Sequence, residues 1–151
     1  MKVLVVDDTK IMRVIIMDIM IKHLKFGKSS FVEASDGEEA IEQFKLVRPD
    51  LVFLDIKMPY GSGKEVVREL IDIDKEANII MCTSSASVGD VTECISAGAK
   101  DYIVKPVTPS RVKDAVKKVL GLGEDEGIYD WIVRQEKEAV TEAGAKASAG
   151  D

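Results

Sequence analysis

Five short apolar runs, each followed closely by polar residues, constrain this chain more than any other feature. They are Lys2–Val6, Phe31–Ala34, Leu51–Leu54, Ile79–Cys82 and Asp101–Val104. Between them the apolar residues recur every three to four positions, which is the helix period. Leu51–Leu54 and Ile79–Cys82 show no in-out alternation, so they predict strands buried on both faces. Phe31–Ala34 is less apolar and is expected nearer an edge. Strands and helices in strict alternation over about 120 residues require right-handed crossovers. The expected fold is therefore a doubly wound five-stranded parallel α/β sheet with five helices.

The helical segments carry their own signals. Thr9 to Leu24 places Ile11, Val14, Ile15, Ile19 and Met20 at helical spacing, with Met12, Ile16, Met17 and Ile21 besides. A helix this apolar is either deeply buried or offers a sticky outer face, and Gly27 is expected to end it. Ser35…Glu38 and Ser62…Glu65 have capping-box spacing ahead of apolar stripes. Ser87 is expected to open the fourth helix and Gly98 to close it. Thr108-Pro109 supplies an N-cap and a first-turn proline to the fifth.

Composition sets the outer bounds. The chain has 151 residues, 46% of them hydrophobic and 32% charged, which suits one globular domain with an appendage. No apolar run approaches a transmembrane length and the amino terminus is too short for a signal peptide, so a cytoplasmic location without membrane insertion is expected. The net charge of −6 is uneven. Residues 124–151 hold eight acids against three bases, so the acidity belongs to the tail and nothing favours nucleic-acid binding. Cys82 and Cys94 lack metal-ligand spacing and read as buried residues. His23, the only histidine, falls near a helix end and reads as packing, not as a phosphodonor.

The ends of the strands are more telling than any one motif. The first ends in Asp7-Asp8, the third in Asp55, the fourth in Thr83-Ser84 and the fifth in Lys105. In a parallel α/β sheet the carboxyl ends share one rim, and ligands bind there. Carboxylates about 5 Å apart repel by roughly 3 kcal/mol per pair at an effective dielectric near 20. A hard divalent cation relieves this, and Mg²⁺ is usually held by one or two carboxylates, waters and a phosphate. Lys105 offers a point charge for phosphate and Thr83 a hydroxyl donor. The set describes a site for moving a phosphoryl group onto a carboxylate.

These residues bring the chain to a family. Val5-Val-Asp7-Asp8, Phe53-Leu-Asp55-Ile-Lys-Met-Pro59, Thr83-Ser84 and Ala97-Gly-Ala-Lys-Asp-Tyr-Ile-Val-Lys105-Pro106 together resemble the receiver domain of two-component response regulators over about residues 2–121. Lys100 to Val119 looks like the chemotaxis-type, CheY-like single-domain receivers. The resemblance implies a flavodoxin-like sheet of order 2-1-3-4-5. It implies that Asp55 is the phosphoacceptor for a histidine kinase. Asp8 and Asp55 would hold Mg²⁺ with the backbone carbonyl of Lys57, and Asp7 would act largely through water. Lys105 and Thr83 would bond phosphate oxygens, Lys105-Pro106 would be cis, and Tyr102 would swing inward as Thr83 moves. The surface of the fourth helix, fifth strand and fifth helix would then change to bind a target. Such a protein is a switch that assists its own phosphorylation and dephosphorylation, not an enzyme. Lys57 and Ser84 depart from the commonest pattern, at positions where receivers tune phosphoryl lifetime.

The receiver is expected to occupy residues 1–121, and 122–151 an acidic extension, helical over about 126–142 with a flexible, disordered end. Trp131 there either docks on its own domain, on a second copy or on a partner, or belongs to an extension without function. The length leaves no room for a DNA-binding output domain, so a stand-alone receiver or a fragment of a larger regulator is expected. Three rivals differ in residues. A haloacid-dehalogenase-like phosphatase needs a second acid two residues after the first, where Thr9 stands. A pseudo-receiver, a binding module without phosphorylation, usually lacks part of the acid cluster or the lysine. A flavodoxin-like cofactor binder needs a phosphate loop where Asp7-Asp8-Thr9-Lys10 would repel one.

Overall fold

The computed structural model describes residues 1–58, 62–84 and 88–149. Pro59, Ser85, Asp151 and the Ser87 expected to open the fourth helix lie outside the described residues. The elements run β1 (Val3–Val6), α1 (Lys10–Leu24), a 3₁₀ turn (Lys28–Ser30), β2 (Phe31–Ala34), α2 (Gly37–Val47), β3 (Leu51–Asp55), α3 (Gly63–Ile73), β4 (Ile79–Thr83), α4 (Val88–Ala97), β5 (Asp101–Val104), α5 (Pro109–Val119) and α6 (Ile128–Ala149). The five strands form one parallel sheet in the order β2-β1-β3-β4-β5. The flavodoxin-like reading therefore holds, with β2 at an edge.

Strand parity divides the interior. Val3, Val5, Leu51, Phe53, Ile80, Cys82 and Ile103 point to one face, covered by Ile16, Ile19 and Met20 of α1 and by Val112, Ala115 and Val116 of α5. Leu4, Val6, Val52, Leu54, Ile79 and Met81 point to the other, under α2, α3 and α4. β1, β3 and β4 are buried along their whole length, which is why their sequences do not alternate. Each fully buried large apolar side chain contributes about 1.5–3 kcal/mol. Two such cores, one on each face, fix the strand register, because a one-residue slip would send every side chain to the wrong side.

Helix ends follow local chemistry, with two shifts from expectation. Ser62 Oγ accepts from Glu65 N and Thr108 Oγ1 from Arg111 N, as the spacing predicts. At α2 the frame sits one residue later than Ser35…Glu38. Asp36 accepts from Glu39 N, while the Glu39 carboxylate accepts from the Ser35 amide and hydroxyl. Asp caps as well as Ser, and this frame satisfies three donors. α1 ends on Lys25 in the left-handed region (φ 65°), not on Gly27, which precedes the 3₁₀ turn. Gly98, which closes α4, has φ +127°, and a Cβ there would strike the Ile71 side chain.

α1 resolves the choice between deep burial and a sticky face by doing both. Ile16, Ile19, Met20 and Leu24 are buried, whereas Ile11 is 76% exposed and Val14 and Ile15 lie exposed beside it. α6 runs from Ile128 to Ala149, seven residues beyond the expected helix end at 142. Alanines at 139, 143, 145, 147 and 149 favour this, since alanine has the highest helix propensity. Ile128 and Ile132 join the α1–α5 core, and Trp131 is half-buried against it. Trp131 thus meets its own domain, in a cleft with Met1, Asp50 and Gln135. Met1 and Asp50 precede β1 and β3, so α6 lies across the amino end of the sheet. No helix among the described residues is long and apolar enough to cross a membrane.

Candidate functional site

The site is built by continuing strand parity past the strand ends. Asp7 follows Val3 and Val5, Asp55 follows Leu51 and Phe53, and Lys105 follows Ile103, so all three leave the sheet on its α1–α5 side. Oxygens of Asp7, Asp8 and Asp55 converge within 4.8 Å of one another. Asp7 and Asp55 are buried, and Asp8 is exposed. Lys105 Nζ reaches both buried acids, 3.1 Å from Asp7 Oδ2 and 3.5 Å from Asp55 Oδ2. The Lys105-Pro106 bond is cis, as expected.

Each acid is held differently. Asp7 Oδ1 accepts from the Thr9 amide and hydroxyl at 2.9 and 3.0 Å, and Oδ2 from Lys105. Thr9 Oγ1 in turn accepts from Met12 N, so the turn that orients Asp7 also caps α1. Both Asp7 oxygens are therefore engaged. Asp8 has no side-chain partner among the described residues. Asp55 Oδ1 accepts from Lys57 N at 3.3 Å. Burial pushes the Asp55 carboxyl above its ordinary value; Lys105 opposes this, and the charges of Asp7 and Asp8 add to it. Burial works to lower Lys105, but its hydrogen bond to Asp7 and the charges of Asp55 and Asp7 prevail and raise it. Burial likewise pushes the neighbouring Cys82 thiol up to about 12, leaving it inert.

The donor set fits a hard cation. Three carboxylates converge and Lys105 pairs with two of them, Asp7 and Asp55, leaving an excess of negative charge around oxygen ligands, which is what Mg²⁺ prefers. Thr83 ends β4 fully buried, its hydroxyl donating to the Ser84 carbonyl at 3.1 Å. Tyr102 on β5 stands 38% exposed. Thr83 pairs with Val104, two residues beyond Tyr102, so Thr83 and Tyr102 belong to the other sheet face. His23 lies with Leu24 and Lys25 in a cleft with Glu124, Gly127 and Ile128, apart from Asp7, Asp8 and Asp55.

Two residues at the rim escaped the sequence reading. Gly63 packs so tightly that a Cβ would stand 2.7 Å from Ile56 Cα and 2.9 Å from the Asp55 carbonyl oxygen. Its amide donates to Ile56 O at 2.8 Å, and the bridge between Lys57 and Ser62 pinches the loop beside it. A glycine at the first position of the helix after the Asp55 strand was the available signal. Arg13 donates to the Asp7 carbonyl at 2.7 Å. Nothing in its spacing announces this.

A doubly wound sheet that gathers three carboxylates and a lysine at its carboxyl rim defines a receiver, a class of phosphorylation-dependent signalling switch rather than a conventional enzyme. The chain belongs to the response regulator family: residues 3–117 match the response regulator receiver domain. It is 44% identical over 118 residues to the chemotaxis protein CheY of Thermotoga maritima, covering 78% of this chain and 96% of that protein. CheY of Bacillus subtilis is 42% identical over 119 residues, covering 79% and 97%. Among solved structures, a CheX-CheY-BeF3-Mg+2 complex from Borrelia burgdorferi matches with a TM-score of 0.68 at 32% identity, over 79% of this chain and 88% of that one.

Proposed function

We propose that this chain is a chemotaxis-like switch that accepts a phosphoryl group from a histidine kinase onto Asp55. The observation that carries the reading is Lys105 Nζ lying 3.1 Å from Asp7 and 3.5 Å from Asp55, with an Asp8 oxygen within 4.8 Å of theirs. An Asp55 oxygen attacks phosphorus and forms an O–P bond while the P–N bond to the donor imidazole breaks. The electron pair leaves on nitrogen, and the product is an acyl phosphate. Catalysis of such a transfer is positioning and charge stabilisation.

The geometry supports the following roles. Lys105, already poised over Asp55, pairs with a phosphoryl oxygen. The Thr83 hydroxyl leaves the Ser84 carbonyl for another. Asp8 and Asp55, with the Lys57 backbone carbonyl, would hold Mg²⁺ directly. Asp7, with both oxygens engaged, would contribute through water. When bound, Mg²⁺ would neutralise charge on the phosphoryl oxygens.

Withdrawal of Thr83 frees space that Tyr102, now facing outward, turns to fill. The surface of α4, β5 and α5 is then remade and a target protein docks there. The Borrelia relative was solved in complex with CheX, which supports a protein target of this kind. Residues 1–121 form the switch, the acidic segment from 122 onward braces it through α6, and the location is cytoplasmic. Intact mass after incubation with acetyl phosphate, with and without Mg²⁺, tests the reading. One added phosphoryl group that requires Mg²⁺ and vanishes in Asp55→Asn is expected; no gain in the wild type overturns it.

A further inference from the structure

Asp8 bears a rim carboxylate but no side-chain partner among the described residues, so its position is set by its backbone. That backbone is held from an unexpected quarter. The Arg13 guanidinium donates from Nη1 to the Asp7 carbonyl at 2.7 Å and from Nε to Glu33 Oε1 at 3.0 Å. Arg13 is mostly buried, its side chain only 14% exposed. Glu33 stands on β2, where Ala34, the next residue, accepts from the Asp7 amide at 3.1 Å. Both backbone polar groups of Asp7 are thus tied to β2, one directly and one through Arg13. Lys10 completes the clamp at 2.9 Å from Glu33. Its hydrogen bond is the main cause holding the Glu33 carboxyl below its ordinary value, against burial.

From this we infer that Arg13 is a positioning residue for the rim acids, acting through the Asp7–Asp8 peptide and anchored by Glu33 on the edge strand. The inference rests on the Mg²⁺-dependent reading above. A planar guanidinium suits the task because one group must donate in two directions at once. A lysine would keep the charge but lose the fork.

The sign of the expected effect is informative. Removing a cation from beside a cation site would, by Coulomb's law alone, tighten Mg²⁺ binding. Loss of the clamp weakens it instead, because Asp8 is no longer held against Asp55. The test is Mg²⁺ titration by calorimetry on the full chain, with urea unfolding of each variant alongside. Arg13→Ala is expected to weaken Mg²⁺ about tenfold, the loss of one charge-assisted hydrogen bond. Phosphorylation by acetyl phosphate should recover at saturating Mg²⁺. Arg13→Lys should fall between, and it serves where Arg13→Ala does not fold. Ile132→Val, at the far end of the sheet, should lower the urea midpoint and leave Mg²⁺ affinity unchanged. Unchanged or tighter Mg²⁺ binding in both Arg13 variants overturns the role, with the wild type still binding Mg²⁺ and gaining phosphate. A wild type that does neither overturns the functional reading and this inference with it.

Discussion

Lys105 Nζ lies 3.1 Å from Asp7 Oδ2, on an acid that is almost wholly buried. The same ammonium stands 3.5 Å from Asp55, so one cation serves two carboxylates. Lys105→Met would leave both without it. About 1–2 kcal/mol of stability should be lost, less than for a fully buried pair because the lysine side chain is 23% exposed. Urea unfolding at neutral pH measures this. Added Mg²⁺ should stabilise the variant more than the wild type, since a cation then returns to the acids.

The raised Asp55 carboxyl makes a prediction about pH. A carboxyl that holds its proton more tightly folded than unfolded favours the fold when protonated. That contribution fades as pH rises from the ordinary aspartate range through the raised folded value. At neutral pH without Mg²⁺, Asp55→Asn should therefore be more stable than the wild type, and the gap should close as pH falls to about 4. Unfolding midpoints across that range decide it. An Asp55→Asn variant less stable than wild type at neutral pH would contradict the direction.

Two glycines at the starts of neighbouring helices should respond oppositely to alanine. Gly63→Ala forces a Cβ against the backbone of Asp55 and Ile56. It should cost about 1–3 kcal/mol and, on the proposed function, slow phosphoryl uptake by displacing Asp55. A Cβ at Gly89 of α4 meets nothing within 4 Å. Gly89→Ala should stabilise by about 0.5–1 kcal/mol, the helix-propensity difference.

α6 contributes two side chains to the core. Ile132→Ala should cost about 2–4 kcal/mol, the usual range for a buried isoleucine. Truncation after Gly123 should uncover Leu120 and Leu122 as well and lower the unfolding temperature. Phosphorylation of the truncated chain, below its new melting point, should proceed at the wild-type rate.

Much of the fold was written in local patterns. Leu51–Leu54 and Ile79–Cys82 lack alternation because both their faces are buried, and the rim acids follow from where those runs end. What was not legible depended on competition or on distance. Ser35 and Asp36 are both good caps, and only the packed helix shows which one Glu39 answers. Gly27 looked like the stop for α1, yet Lys25 takes the left-handed turn first. Arg13 reaches across to β2, and no periodicity records a contact between an edge strand and a helix twenty residues away.

The placement of α6 has a practical consequence. Strands of four or five residues separate Met1 and Asp50 from Asp7 and Asp55, roughly 15 Å at the usual rise. A fluorophore attached at exposed Tyr129, on the first turn of α6, is therefore held at the pole of the molecule opposite its acids. Immobilised by that handle, the protein presents its rim acids to solution.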